Sequence, residues 1–167
     1  MAQHTIMKHY QAPWSTSLIV ISSLATVLCV GIALGMIWSS RGMLPWLALL
    51  PLAIVFGSAL FTVRGYTVTS DTILVQRLFW ATRLPLAGLQ SARFEPEAMR
   101  WSIRTFGNGG LFAFTGWFRN KLLGAYRAFV TDPRRAVVLR YSGRTVVLSP
   151  AAPEDFVHDL AISSPAA

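Results

Sequence analysis

Acidic side chains are scarce. There are seven against fifteen lysines and arginines, none occurs before Asp71, and charged residues of both signs make up 13% of the 167-residue chain, about half of the roughly 25% usual in a soluble domain. Between Lys8 and Asp71 the only Lys, Arg, Asp or Glu side chains are Arg41 and Arg64. Such a charge desert excludes a single soluble globule. Cysteine is nearly missing too, and the lone Cys29 excludes a disulfide framework within one chain. Convergent catalytic groups are also wanting. His4 and His9 lie near the N-terminus, His158 lies near the C-terminus, and Glu95 and Glu97 flank Pro96 with no second cluster beside them. An active site needs groups that converge, so no catalytic residue, metal ligand or cofactor is expected, and the chain reads as a non-enzyme.

What is present instead is two uncharged apolar runs, 15–38 and 43–63. At ~1.5 Å rise per residue each is long enough for a ~30 Å hydrocarbon core. The first is too long for the apolar core of a signal peptide. A short linker at 39–42 predicts an antiparallel transmembrane hairpin over 15–63, bent at Pro45 and Pro51, with both chain ends on one side. Lys8, Arg64, Arg77 and Arg83 on that side outweigh Arg41 in the loop, which places both termini in the cytoplasm. Trp14, Trp38 and Trp46 mark the headgroup level. Gly31 with Gly35, and Ala53 with Gly57, carry the small-xxx-small spacing that lets helices approach closely, either within the hairpin or against another subunit or membrane protein. The absence of charge inside either run argues against a transporter, proton pathway or channel.

From Arg64 the pattern changes to short alternating runs at 66–69, 72–78, 81–84, 89–95, 124–131, 135–141 and 144–148, and Ser142-Gly143 suits a two-residue hairpin turn. Residues 153–162 read as an amphipathic helix, with Pro153 at its first position, Glu154 and Asp155 in its first turn, and Phe156, Val157, Leu160 and Ala161 on one face. The expected organisation is therefore a cytoplasmic tail at 1–14, the hairpin at 15–63, a mainly β, α+β domain of seven antiparallel strands and a C-terminal helix at 64–162, and a flexible tail at 163–167.

Tyr66-Thr67-Val68-Thr69, Arg83-Leu84-Pro85-Leu86, Phe106-Gly107-Asn108-Gly109-Gly110-Leu111-Phe112, Gly116-Trp117-Phe118, Val130-Thr131-Asp132 and Ser149-Pro150 with Phe156, behind two uncharged runs, resemble the membrane-anchored bacterial pleckstrin-homology (PH) domain family. The resemblance spans essentially the whole chain, and the glycine-aromatic stretch is its most specific part. It implies a PH-like fold, two nearly orthogonal antiparallel sheets capped by a C-terminal helix, with no catalytic activity and a bacterial inner-membrane location. PH domains that bind phosphoinositides place cations around the first strand-to-strand loop. Here that loop is Thr69-Ser70-Asp71-Thr72, without a cation, so phosphoinositide binding is not carried over.

One stretch breaks the strand pattern. Over 99–126, Arg100, Arg104, Arg119 and Lys121 alternate with Trp101, Phe106, Phe112, Phe114, Trp117 and Phe118, with no acid among them. Either the rings fill the core and the cations are solvated, or Arg100, Arg104, Trp117, Phe118, Arg119 and Lys121 form a surface for anionic lipid or for a protein groove. Gly107-Asn108-Gly109-Gly110 has the wrong spacing for a phosphate loop and reads as a turn needing positive φ. From Arg64 onward, thirteen Lys and Arg stand against seven acids, a net +6. An anionic membrane face explains this charge, and nucleic acid is not an expected partner. The expected function is a membrane-anchored adaptor for a membrane protein or a second copy, or alternatively a tethered sensor of anionic lipid.

Overall fold

The structure, a computed structural model, describes residues 7–39 and 45–163. Strand β1 (Lys8–Gln11) leads into helix α1 (Thr16–Ser39); a 3-10 turn (Pro45–Ala48) opens helix α2 (Leu49–Leu60). Nine strands follow: β2 (Gly65–Val68), β3 (Thr72–Gln76), β4 (Ala81–Pro85), β5 (Leu89–Phe94), β6 (Ile103–Gly109), β7 (Phe114–Asn120), β8 (Gly124–Val130), β9 (Val137–Tyr141) and β10 (Thr145–Leu148). Helix α3 (Pro153–Ser163) ends the domain. Beyond Ser39, the linker expected at 39–42 lies outside the described residues.

Ser15 starts α1. Its hydroxyl accepts the Leu18 N–H at 3.2 Å and its carbonyl accepts the Ile19 N–H at 3.0 Å, which satisfies donors that a helix start otherwise leaves free. Among the described residues one helix, Thr16–Trp38, is long and apolar enough to cross a membrane. The second apolar helix, Trp46–Leu60, is shorter than the run expected at 43–63. Pro45 fixes a 3-10 entry, Pro51 falls in the first turn of α2 where its missing N–H costs nothing, and the chain leaves the helix at Phe61. The two helices pack on each other, but not through the glycine pairs. Gly31, Gly35 and Ala53 are exposed, Gly57 is half-buried, and a Cβ placed at any of the three glycines would meet nothing within 4 Å. The buried small residues of α1 and of the 3-10 turn are Ser22, Ala33 and Ala48. Ala33 lies two positions, about 200°, round the helix from Gly31, which turns Gly31 and Gly35 outward.

The β domain has two sheets. The first is antiparallel in the order β1-β2-β3-β4, and the second is mixed in the order β5-β9-β10-β8-β7-β6. Three expectations are corrected here. Lys8–Gln11, read as tail, forms an edge strand in register with β2, from Lys8 opposite Val68 to Gln11 opposite Gly65. The stretch left without strands contributes β6 and β7, so the described strands number ten rather than seven. Finally, β10 runs parallel to β8, with Val146 opposite Arg127. After β8 the chain crosses to pair β9 with β5, and β10 returns into the gap between β9 and β8, along the direction of β8.

Between the sheets, Tyr66, Val68, Ile73, Val75 and Leu84 meet Val137, Leu139, Val146 and Leu148, and Phe156 and Leu160 of α3 close the open end. The other face of the second sheet carries a smaller core around Phe118, Tyr126, Val138 and Val147. The expected two-sheet, helix-capped arrangement is therefore present, with one sheet mixed.

Candidate functional site

The β6–β7 hairpin owes its shape to glycine. Gly107 (φ 103°) faces Gly116 (φ 138°) across the ladder, and a Cβ on either would sit 2.4 or 2.2 Å from a carbonyl oxygen of the partner strand. Only glycine fits both the positive φ and the close approach. Asn108 then clamps the turn by accepting the Leu111 N–H at 3.0 Å and donating to the Leu111 carbonyl. The turn expected at 107–110 is corrected: Gly107, Asn108 and Gly109 belong to β6, and the turn starts at Gly110, which has positive φ. At the tip, Phe112 (φ 64°) is strapped to α1, because its N–H donates to Ser22 Oγ at 2.9 Å and its ring packs on Trp14 at 6.1 Å.

The hairpin leaves large apolar side chains in the open. Trp101 is 85% exposed, Ile103 73% and Phe106 76%, with Trp117 half-exposed beside them. Arg100, Arg104, Arg119 and Lys121 are exposed. Phe118 is not part of that surface. It is 5% exposed and stacks on Tyr126 at 6.0 Å, since alternate residues of β7 point to opposite faces and Trp117 and Arg119 take the face shared with Arg127 and Phe129. Five of the six candidate residues are therefore exposed. Arg100 pairs with Glu97 at 3.0 Å, whereas Arg104 and Trp117 line a cleft elsewhere.

That cleft, about 690 Å³, separates the last turns of α2 from the hairpin. Its floor holds two arginines that the sequence reading did not single out. Arg77, just past β3, is 9% exposed and donates from Nη1 to the Phe61 carbonyl at 3.2 Å, while its Nε has no hydrogen-bond partner among the described residues. Its guanidinium lies 5.6, 5.7 and 5.1 Å from the rings of Phe61, Trp80 and Phe129. Arg127 reaches the Phe129 ring at 4.8 Å and the Trp117 ring at 6.0 Å. Burial first, and then the charge of Arg127, pull Arg77 down to about 10, with Tyr66 opposing. The ion pairs among the described residues involve none of Arg77, Arg104 or Arg127, and no carboxylate lines the cleft. The available signal was one charge in each of two strongly patterned strand runs.

Behind Phe129, which lines the cleft, the polar network is closed. Tyr66, fully buried, donates to the Phe129 carbonyl at 2.6 Å and accepts the Ser149 N–H at 3.0 Å. Burial pushes its hydroxyl up to about 12 against the opposing pull of the Ser149 bonds and of Arg77. Ser149 Oγ accepts the Thr131 N–H at 2.9 Å, and Thr131 donates to the Pro13 carbonyl at 2.8 Å. Strand β1 is tied to α3 by Lys8 on Asp159 at 2.6 Å, by a short Tyr10–Asp159 hydrogen bond, and by Tyr10 edge-on to Phe156 at 5.0 Å. Burial acts to raise Asp159, but the bonds from Lys8 and Tyr10 and the Lys8 charge overcome it and hold the carboxyl low. Among the described residues no three His, Cys, Asp or Glu side chains gather as a metal site.

A family model described as bacterial PH domain matches residues 64–163. No curated protein and no solved structure matches the chain.

Proposed function

The chain belongs to the bacterial PH domain family, and from that membership we propose that it is a non-catalytic binding module held on the bacterial inner membrane by a two-span hairpin, with both termini and the PH-like domain in the cytoplasm. The observation that carries this reading is the pairing of β1 with β2. Residues before α1 and residues after α2 share one sheet, so a chain that crosses at 15–38 must cross back at 43–63. The 3-10 turn Pro45–Ala48 ahead of α2 adds to its reach, at about 2.0 Å per residue against about 1.5 Å in the helix. The β6–β7 hairpin, strapped to α1 through Ser22, then lies at the headgroup level. Its Trp101, Ile103 and Phe106 enter the interface, and Arg100, Arg104, Arg119 and Lys121 meet anionic headgroups, each worth about 1 kcal/mol near a charged surface. The competing adaptor reading puts a membrane protein or a second copy on the same ridge.

Membranes from cells expressing the full chain, washed with alkaline carbonate, test the anchor. The protein is expected to stay in the pellet, and its release sinks the reading. A polarity-sensitive label on a Phe106→Cys, Cys29→Ser variant in pure lipid vesicles tests the ridge. An interfacial signal supports membrane contact. An aqueous signal that turns apolar only on self-crosslinking, or on addition of a membrane extract, replaces it with the adaptor reading.

A further inference from the structure

The cleft between α2 and the β6–β7 hairpin is short of one negative charge. Arg77 and Arg127 share its floor and Arg104 stands at its rim, where Nη1 donates to the Gly107 carbonyl at 3.1 Å. Cations withdrawn from water are costly unless paired, and cation–π contacts offset only part of that cost. Arg77 is nine-tenths buried and its Nε bonds to nothing among the described residues.

The upper wall is of another kind. Ala53, Ile54, Gly57 and Phe61 give α2 an apolar face along the cleft, about 12 Å long at ~1.5 Å per residue. At Gly57 that wall is recessed, since a Cβ there would meet nothing within 4 Å. A free anion leaves this wall unused, and an acidic peptide brings backbone polar groups with nothing to bond them along it. A molecule with an anionic head and a hydrocarbon tail fits both ends of the cleft.

We propose that the cleft seats one anionic phospholipid, its phosphate on Arg77 and Arg127 with Arg104 at the rim, and one acyl chain along the Ala53–Gly57 face of α2. This site rests on the membrane-held reading above, but it is a single stoichiometric site rather than a surface. It also lies away from the Thr69–Thr72 loop.

The test uses the full chain, purified in mild detergent, stripped of lipid and titrated in native mass spectrometry with phosphatidylglycerol, phosphatidylcholine or inorganic phosphate. One phosphatidylglycerol per chain is expected, at least tenfold preferred over phosphatidylcholine. Charge-assisted bonds of the usual strength predict a tenfold or greater loss in Arg127→Gln and in Arg77→Gln. Because Arg77 also holds the end of α2, Arg127→Gln is the deciding charge variant. Gly57→Leu, which fills the recess without touching a cation, is expected to weaken the lipid tenfold and leave phosphate binding unchanged. Equal retention of phosphatidylcholine, unchanged binding in Arg127→Gln, or displacement of the lipid by inorganic phosphate at matching concentration overturns the proposal. So does an acidic protein that occupies the site in place of lipid. All variants are also fractionated: a wild-type chain absent from the membrane pellet defeats the anchored reading itself, whereas a chain in the pellet without lipid selectivity defeats the cleft alone.

Discussion

Two adjoining regions of the β domain, one on each side of Phe129, solve opposite problems. Around Tyr66, Thr131 and Ser149 every polar group described finds a partner, and Tyr10, Phe156 and Leu160 seal the sheets behind them. Around the β6–β7 hairpin, Trp101, Ile103 and Phe106 face outward, and Arg77 and Arg127 sit together without a carboxylate. The first region is finished as folded. The second leaves apolar rings and cations uncovered among the described residues, and this contrast is why the proposed binding is placed there.

The contrast can be broken most severely from the open end. Gly116→Val puts a branched side chain at φ 138° with its Cβ 2.2 Å from the Phe106 carbonyl oxygen, a strain and overpacking cost of about 3 kcal/mol or more. Hydrogen exchange of the full chain in detergent is expected to lose protection over 103–120 and keep it over 65–76; loss at both ends together makes the two one cooperative unit. At the closed end, Tyr66→Phe strands the Phe129 carbonyl and the Ser149 N–H, a loss of about 1–3 kcal/mol in unfolding free energy that lowers the denaturant midpoint. An unchanged midpoint removes the network from the account.

Acid gives a smaller and more selective effect. The Asp159 carboxyl is held below its ordinary 3.8, so the stability it supplies is complete above pH about 4 and fades as pH falls through its lowered value. Melting temperatures between pH 2 and 6 are expected to show this step in the wild type and a smaller one in Asp159→Asn. The least effect belongs to the surface pair. Arg100→Ala, facing Glu97 in solvent, should move stability by under about 0.5 kcal/mol, and a larger change measured by thermal melting gives that pair a structural role.

Much of the closed end was legible because its signals are local. Ser142-Gly143 joins β9 to β10 and Pro153 opens α3, but the alternation along 137–141 hid that Val138 is buried too, in the core on the other face of the sheet. Of the segments that carry the resemblance, those with Tyr66, Thr131, Ser149 and Phe156 hold the two sheets together. β1 was not legible. Four residues just ahead of an apolar helix carry no usable period, and what makes them a strand is Gly65, where a Cβ would come within 2.7 Å of His9 and of the Tyr10 carbonyl. β6 and β7 hid for a related reason, since glycines that permit close strand approach look like loop. The cleft was partly visible through Arg104 and Trp117, but Arg77 and Arg127 come from strands more than 45 positions apart, and only the tertiary fold brings them together.

Chain order has one further consequence. The helical pair is inserted between two neighbouring strands of a single sheet: four residues join β1 to α1 and four more join α2 to β2, and Gln11 opposite Gly65 sets the two feet side by side. Neighbouring strands are spaced by about 4.8 Å. A domain carried on one leg can swivel freely, whereas one carried on two legs this close together cannot. Any sliding of α1 past α2 arrives in the sheet as shear between β1 and β2, and β1 passes it through Lys8 and Tyr10 to α3. The hairpin is thus geared to the domain, and displacement of one helix along its axis has a mechanical route to the far side of the molecule.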